Sequence, residues 1–245
     1  MAKVFIFDQP DTLYEQCAQR FLQLAREVLE KQERFHVALA GGSTPRELYR
    51  HLSSTSAASA PDWQRVEFYF GDERCVAPDH PDSNYRMANE TLFTPLSIPE
   101  AAVHRIHAER EPADAVAHYL DALKKVPQQN QLPSFDLVLL GMGADGHVAS
   151  LFPGSALLQE QEQAFGANYV EKLGCWRLSL TLPVINNARH ILLLVSGSKK
   201  ADIVRHVMHG GSGAIPLPVE LLERKHLEWF LDREAGHLLD DEYES

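Results

Sequence analysis

An acid and an imidazole two positions apart, Asp145 and His147, sit in a run of glycines, Gly141-Met142-Gly143-Ala144-Asp145-Gly146-His147. An imidazole titrates near neutrality, so it can take a proton from water and return it to a leaving group. A lone turn histidine is ordinarily structural. Here the apolar run Phe135 to Leu140 precedes the glycines. A strand buried on both faces that ends in a glycine loop is where open α/β sheets seat their ligands. We therefore read Phe135 to Gly154, FDLVLLGMGADGHVASLFPG, as the catalytic stretch.

A second glycine loop, Gly41-Gly42-Ser43-Thr44-Pro45-Arg46-Glu47, follows the apolar run Phe35 to Ala40. Pro45 fits a first helical residue, and Thr44 with Glu47 fits a capping box. The free N–H groups of such a helix start attract anions, and Ser43 adds a hydroxyl. An ordinary capped helix start accounts for the same spacing. The Walker A pattern is absent. Arg74 follows the strand-like Val66 to Phe70, and Lys199 and Lys200 follow Gly197. In a parallel sheet the turns after the strands share one edge, so Ser43, Arg74, His147 and a lysine can converge.

Competing chemistries fit less well. Gly141 to Gly146 matches G-x-G-x-x-G, but Pro153 cuts short any following helix, and no second strand ending in an acid comes next. The pairs His104/His107 and His206/His209 lack a third ligand at metal-site spacing, so no metal is expected. Gly210-Gly211-Ser212-Gly213-Ala214 fails the G-x-S-x-G elbow at its last position.

The elements that must position these residues alternate along the chain. Strands are expected at Val4 to Phe7, Phe35 to Ala40, Val66 to Phe70, His104 to His107, Phe135 to Leu140, Tyr169 to Leu173, Trp176 to Leu182, Ile191 to Ser196 and Leu227 to Leu231. Helices are expected at Pro10 to Lys31, from Asp82-Ser83-Asn84 to Phe93, at Pro112 to Val126, after Lys200 to Met208, at Leu217 to Arg224 and at Asp232 to Leu239. Ser53 to Pro61 and His209 to Ala214 read as mobile loops, and DDEYES as a frayed acidic tail. No composition boundary divides residues 1–245. The pattern predicts one α/β domain with an open, mostly parallel sheet.

Bulk properties narrow the partners. The 245 residues, 44% hydrophobic and 23% charged, suit a globular enzyme, and a net charge of −11 argues against nucleic-acid or anionic-membrane surfaces. Cys17, Cys75 and Cys175 are odd in number and widely spaced, which suits reduced thiols in the cytoplasm. The apolar start is too short for a signal peptide, and no run approaches a membrane span.

Four blocks carry a resemblance to the 6-phosphogluconolactonase family: ALAGGSTPRELYRHL (38–52), FYFGDERCVAPDHPDSNYRMANETLF (68–93), FDLVLLGMGADGHVASLFPGS (135–155) and RLSLTLPVINNARHILLLVSGSKKADIV (177–204). The ending LPVELLERKHLEWFLDREA also looks like that family. Val148 and Ser179 depart from it, where threonine is more usual. The resemblance implies a Rossmann-like open twisted sheet with helices on both faces, shared with sugar-phosphate isomerases and deaminases. It implies hydrolysis of 6-phospho-D-glucono-1,5-lactone, without metal or cofactor, by a monomer or weak homo-oligomer. His147 would be the general base, and Asp145 would hold or polarise the histidine or water. Gly42, Ser43, Arg74 and Lys200 would bind phosphate, Lys200 fitting the G-x-x-K pattern better than Lys199. Asp72, Asn84 and Arg189 would be pocket residues. Loop N–H groups near Gly143 are the expected oxyanion stabiliser. Glucosamine-6-phosphate deaminases share the D-G-H loop but typically continue through an F-N-E-P-like segment; here Val148-Ala149-Ser150-Leu151-Phe152-Pro153 carries no acid.

Overall fold

The structure, a computed structural model, describes residues 2–56, 60–211 and 216–239. Parts of the two loops read as mobile, and the acidic tail from 240 onward, lie outside the described residues.

Strands β1 (Lys3–Phe7), β2 (Phe35–Leu39) and β3 (Val66–Phe70) form where apolar runs were expected. β4 (Asp72–Arg74) continues from β3 into a different sheet, and β5 (Gln128–Gln129) and β6 (Leu132–Pro133) make a minimal hairpin. β7 (Leu137–Gly141), β8 (Phe165–Val170), β9 (Cys175–Leu180), β10 (Ile191–Val195) and β11 (Leu227–Asp232) complete the set. The helices are α1 (Pro10–Leu29), α2 (Ser43–Ser53), α3 (Asn84–Ala88), α4 (Pro112–Leu123), α5 (Leu182–Asn186), α6 (Ala201–Met208) and α7 (Arg233–Gly236).

The six-stranded sheet has the order β1-β11-β10-β7-β2-β3, and every pair in it is parallel. β2 connects outward to β3, whereas β7 leads to β10 on its other side, so the strand order reverses between β2 and β7. Crevices at such reversals are the usual ligand sites of open α/β sheets. β2, β10 and β11 are buried along their whole length, as strands covered on both faces must be. α1 buries Leu13, Cys17, Phe21 and Leu24 at near-helical spacing, with Val28 half-buried at the end of the same stripe.

Several expectations are corrected. β4, β9 and β8 form a separate antiparallel sheet. Glu171–Leu173 is a short 3-10 turn rather than the end of a strand, because Gly174 adopts the left-handed conformation that closes the β8–β9 hairpin. His104 to His107 is not a strand; only Val103 bridges, to Phe68. Pro218–Leu221 and Arg224–His226 are 3-10 turns in place of one helix, and the closing helix shortens to Arg233–Gly236. Among the described residues no helix is long and apolar enough to cross a membrane.

Candidate active site

Both glycine loops open at the C-terminal edge of the parallel sheet, on either side of the β2/β7 reversal. Each strand end beside β3 and β2 is pinned by a tyrosine. Tyr49 of α2 donates to the Ala40 carbonyl (2.7 Å) and accepts the Ala40 N–H (2.9 Å). Tyr119 of α4 treats Phe70 the same way, at 2.9 and 2.8 Å. Each hydroxyl satisfies two backbone groups that the ladder leaves open.

After β7 the chain folds back tightly. The Gly146 N–H donates to the Gly143 carbonyl at 3.1 Å, and the Gly143 N–H to the His147 carbonyl at 2.9 Å. Gly146 has φ +75°, which disfavours any side chain. Gly143 is needed for a different reason: a Cβ there would lie 2.0 Å from His147 Nδ1 and 2.6 Å from Asp145 Oδ1. The loop backbone thus packs directly against the acid–imidazole pair. Because its N–H is already spent on His147, Gly143 itself is not the oxyanion donor expected from sequence.

Asp145 Oδ1 lies 2.5 Å from His147 Nδ1. A carboxylate there fixes the proton on Nδ1 and leaves Nε2 as the basic nitrogen. The other oxygen, Oδ2, pairs with the Lys172 ammonium. Burial pushes the Asp145 carboxyl up, but the hydrogen bonds from Lys172 and His147 outweigh it and hold it down at about 2. The His147 ring rests 4.3 Å from that of Phe152 at a tilt of 31°.

The Gly41 loop departs from its expected capping. α2 starts at Ser43, with Gly42 as the cap residue at φ +102° and no side-chain cap. Pro45 is therefore the third helical residue, and the Thr44/Glu47 capping box does not form. Prolines are tolerated within a first turn because those N–H groups have no helical acceptor. Gly42, Ser43, Arg74, Asp72, His147 and Lys200 all line one cavity of about 470 Å³. Burial pushes the Lys200 ammonium below its ordinary range, partly opposed by Asp145.

Asp72 forms a wall: its carboxylate accepts from Ser150 Oγ (2.7 Å) and Asn84 Nδ2 (3.2 Å). Asn84 itself stands behind the loop, where a Cβ on Gly41 would fall 1.9 Å from its Oδ1. Arg189 is not in the cavity. It precedes β10, so it lies at the N-terminal edge, where it pairs with Asp136 at 3.1 Å. That edge is a strand's length from the site, and the pocket role expected of Arg189 is withdrawn.

Four residues escaped sequence reasoning. Lys172 and Arg177 of the β8–β9 hairpin line the cavity. Buried Glu73 accepts the N–H groups of Asn84 (2.8 Å) and Tyr85 (2.9 Å) and so starts α3. Buried Asp232 accepts the Gly197 N–H at 3.0 Å and sets the turn that carries Lys200. The adjacency of Glu73 to Asp72 and Arg74 was the one available signal for any of them.

The first of the two histidine pairs is engaged elsewhere: His104 lies 2.7 Å from Glu67 and stacks on Tyr69, and His107 packs on His118. Among the described residues no group of three His, Cys, Asp or Glu could hold a metal ion. A larger groove of about 700 Å³ runs along β1 and α1. Its central Arg20 is engaged by Glu228 at 2.6 and 3.0 Å, and it holds no acid–imidazole pair, so the chemistry belongs to the smaller cavity.

Comparison with known proteins shows the family and the fold. The chain is similar to 6-phosphogluconolactonase of Haemophilus influenzae, at 36% identity over 208 residues, covering 83% of this chain and 87% of that protein. It is similar to 6-phosphogluconolactonase of Rattus norvegicus, at 34% over 244 residues, covering 98% and 95%. The solved 6-phosphogluconolactonase of Trypanosoma brucei superposes with a TM-score of 0.87 at 27% identity, covering 98% of this chain and 99% of that one. The family model described as glucosamine-6-phosphate isomerases/6-phosphogluconolactonase matches residues 8–231. The chain belongs to the glucosamine-6-phosphate isomerase/6-phosphogluconolactonase family.

Proposed function

We propose that this chain hydrolyses 6-phospho-D-glucono-1,5-lactone to 6-phosphogluconate in the oxidative pentose phosphate pathway, with His147 as general base. The observation that carries the reading is the meeting, in one cavity, of His147, held by Asp145, with the N-terminus of α2, Arg74 and Lys200. The N–H groups of α2, the Ser43 hydroxyl and the two cations suit a phosphate dianion. A phosphate held there would leave the lactone carbonyl to reach His147, which lines the same cavity.

In this mechanism Nε2 takes a proton from water as its oxygen attacks C1. The tetrahedral intermediate collapses, the C1–ring oxygen bond breaks, and the imidazolium returns the proton to that oxygen. Asp145 holds the ring and balances the imidazolium charge. A lactone is an activated ester, so one positioned base worth about 10²–10⁴-fold, with orientation, suffices.

The family also contains deaminases, and the segment after His147 supports the lactonase. Val148 and Leu151 are buried, and the Ser150 hydroxyl is spent on Asp72, so nothing from 148 to 153 supplies a second acid. The matched span supports treating residues 1–245 as one lactonase domain. Three free cysteines suit a reducing, cytoplasmic setting, and a monomer or weak homo-oligomer is the assembly in this reading. The test supplies the lactone and, separately, glucosamine 6-phosphate. Acid release from the first and no ammonia from the second are expected. Ammonia release without lactone hydrolysis would overturn the assignment.

A further inference from the structure

We propose that Lys172, at the tip of the β8–β9 hairpin, is a positioning residue of the reaction, holding Asp145 in the charged, oriented form that His147 needs. The inference rests on the lactonase reading above.

The hairpin is built to deliver this side chain. Tyr169 and Trp176 face each other across the two strands, their rings 5.3 Å apart and edge-to-face, one register step behind the tip. Such cross-strand aromatic pairs stiffen a hairpin end. The chain then turns through Glu171–Leu173 and left-handed Gly174. That turn sets Leu173 and Lys172 against the cavity, although Tyr169, Leu173 and Trp176 are the exposed large hydrophobics of the described residues.

Lys172 makes two contacts there. Its ammonium pairs with Asp145 Oδ2, and it lies 5.0 Å from the centroid of the Phe152 ring, against which the His147 ring also packs. Asp145 thus has one oxygen on the imidazole and the other on a cation, so the carboxylate cannot rotate without losing one partner. The cation also changes the charge balance. A carboxylate alone beside Nδ1 favours the imidazolium, which is useless as a base. A cation on the same carboxylate offsets that preference. The other charges facing this pair are Lys200 from the turn after β10, Arg74 and Asp72 of β4, and Arg177 of β9. Among the described residues none of these hydrogen-bonds Asp145, and Lys200 acts on it only through space. Lys172 is therefore the cation that sets both the orientation of the carboxylate and its charge balance. The depressed carboxyl of Asp145, with Lys172 as its strongest favourable partner, accords with this.

The experiment compares wild type with Lys172→Met and Lys172→Arg. It measures the pH profile of kcat/KM for the lactone, and separately the titration of the His147 ring nitrogens by NMR without substrate. In Lys172→Met the acid limb and the NMR midpoint should move to higher pH by about half a unit or more. That is the shift of about one to three units from a close charge, reduced by the partial exposure of this lysine. At pH 6 kcat should fall several-fold more than at pH 8.5, and Lys172→Arg should restore the wild-type limb. An unmoved limb and midpoint, with activity lowered equally at all pH values, would make Lys172 merely structural and overturn the proposal. A loss confined to KM with an unmoved limb would make it a substrate-binding cation and also overturn it. If wild type gave no turnover, the lactonase reading would fail, whereas the substrate-free NMR midpoint would still decide whether Lys172 controls the pair.

Discussion

At the scale of single residues, the acid–imidazole pair was legible because both members lie in one short loop after one buried strand. Spacing within a turn translates directly into distance. Lys172 was not legible, since its contact with Asp145 crosses from a different sheet and depends on a hairpin tip at residues 171–174, where the strand pattern put the end of a strand. Arg189 failed for the opposite reason. It precedes β10, so the strand carries its side chain away from the edge where the site opens. A tight residue-level constraint within the loop is Gly143, whose missing side chain makes room for the pair. Gly143 has an ordinary φ, so alanine is tolerated by the backbone and its cost falls on His147 and Asp145. We expect Gly143→Ala to lower kcat about 10²-fold, the loss associated with a displacement of about 1 Å, while the urea midpoint moves little. Near-normal kcat in steady-state assays would mean that the pair does not need its present position.

Elements show a second layer of positioning. Apolar runs located all six parallel strands, because strands buried on both faces leave little choice of residue. Caps and turns were read less well. The Thr44/Glu47 spacing matched a capping box, yet the helix begins two residues earlier, since left-handed Gly42 can turn the chain directly into Ser43. The tyrosine clamps were invisible in sequence, being pairings of a helix side chain with a strand end. Tyr49→Phe removes one such clamp and leaves the buried N–H and carbonyl of Ala40 without partners. It should cost about 1–3 kcal/mol in chemical denaturation and raise KM, because the Gly41–Ser43 loop hangs from that strand end. Unchanged stability and unchanged KM together would show that α2 holds the loop by other means.

For the whole molecule, the convergence of strand-end turns on one edge followed from alternating strands and helices alone. The strand order did not: β1 pairs with β11 from the far end of the chain, a contact that no local pattern encodes. The small antiparallel sheet was likewise legible as two strands but not as the carrier of Lys172. The sheet also contains a pH liability. His36 on β2 is buried with Nδ1 unpartnered, and burial pushes its imidazole down to about 4. The unfolded chain protonates this group near 6.5, whereas the folded chain does so only near 4. Between those values the unfolded state binds the extra proton, so stability falls as pH falls, by up to about 1.4 kcal/mol per unit. Urea midpoints at pH 7.5 and 5.0 should therefore drop less in His36→Leu than in wild type; equal drops would remove His36 from the account.

The claim on which the whole account turns is that His147 performs the proton transfers of lactone opening. It is tested by continuous acid release from 6-phospho-D-glucono-1,5-lactone, corrected for spontaneous hydrolysis, with wild type and His147→Ala side by side. A fall in kcat of about 10²–10⁴-fold with KM nearly unchanged is the predicted result. Turnover by His147→Ala close to that of wild type would contradict it.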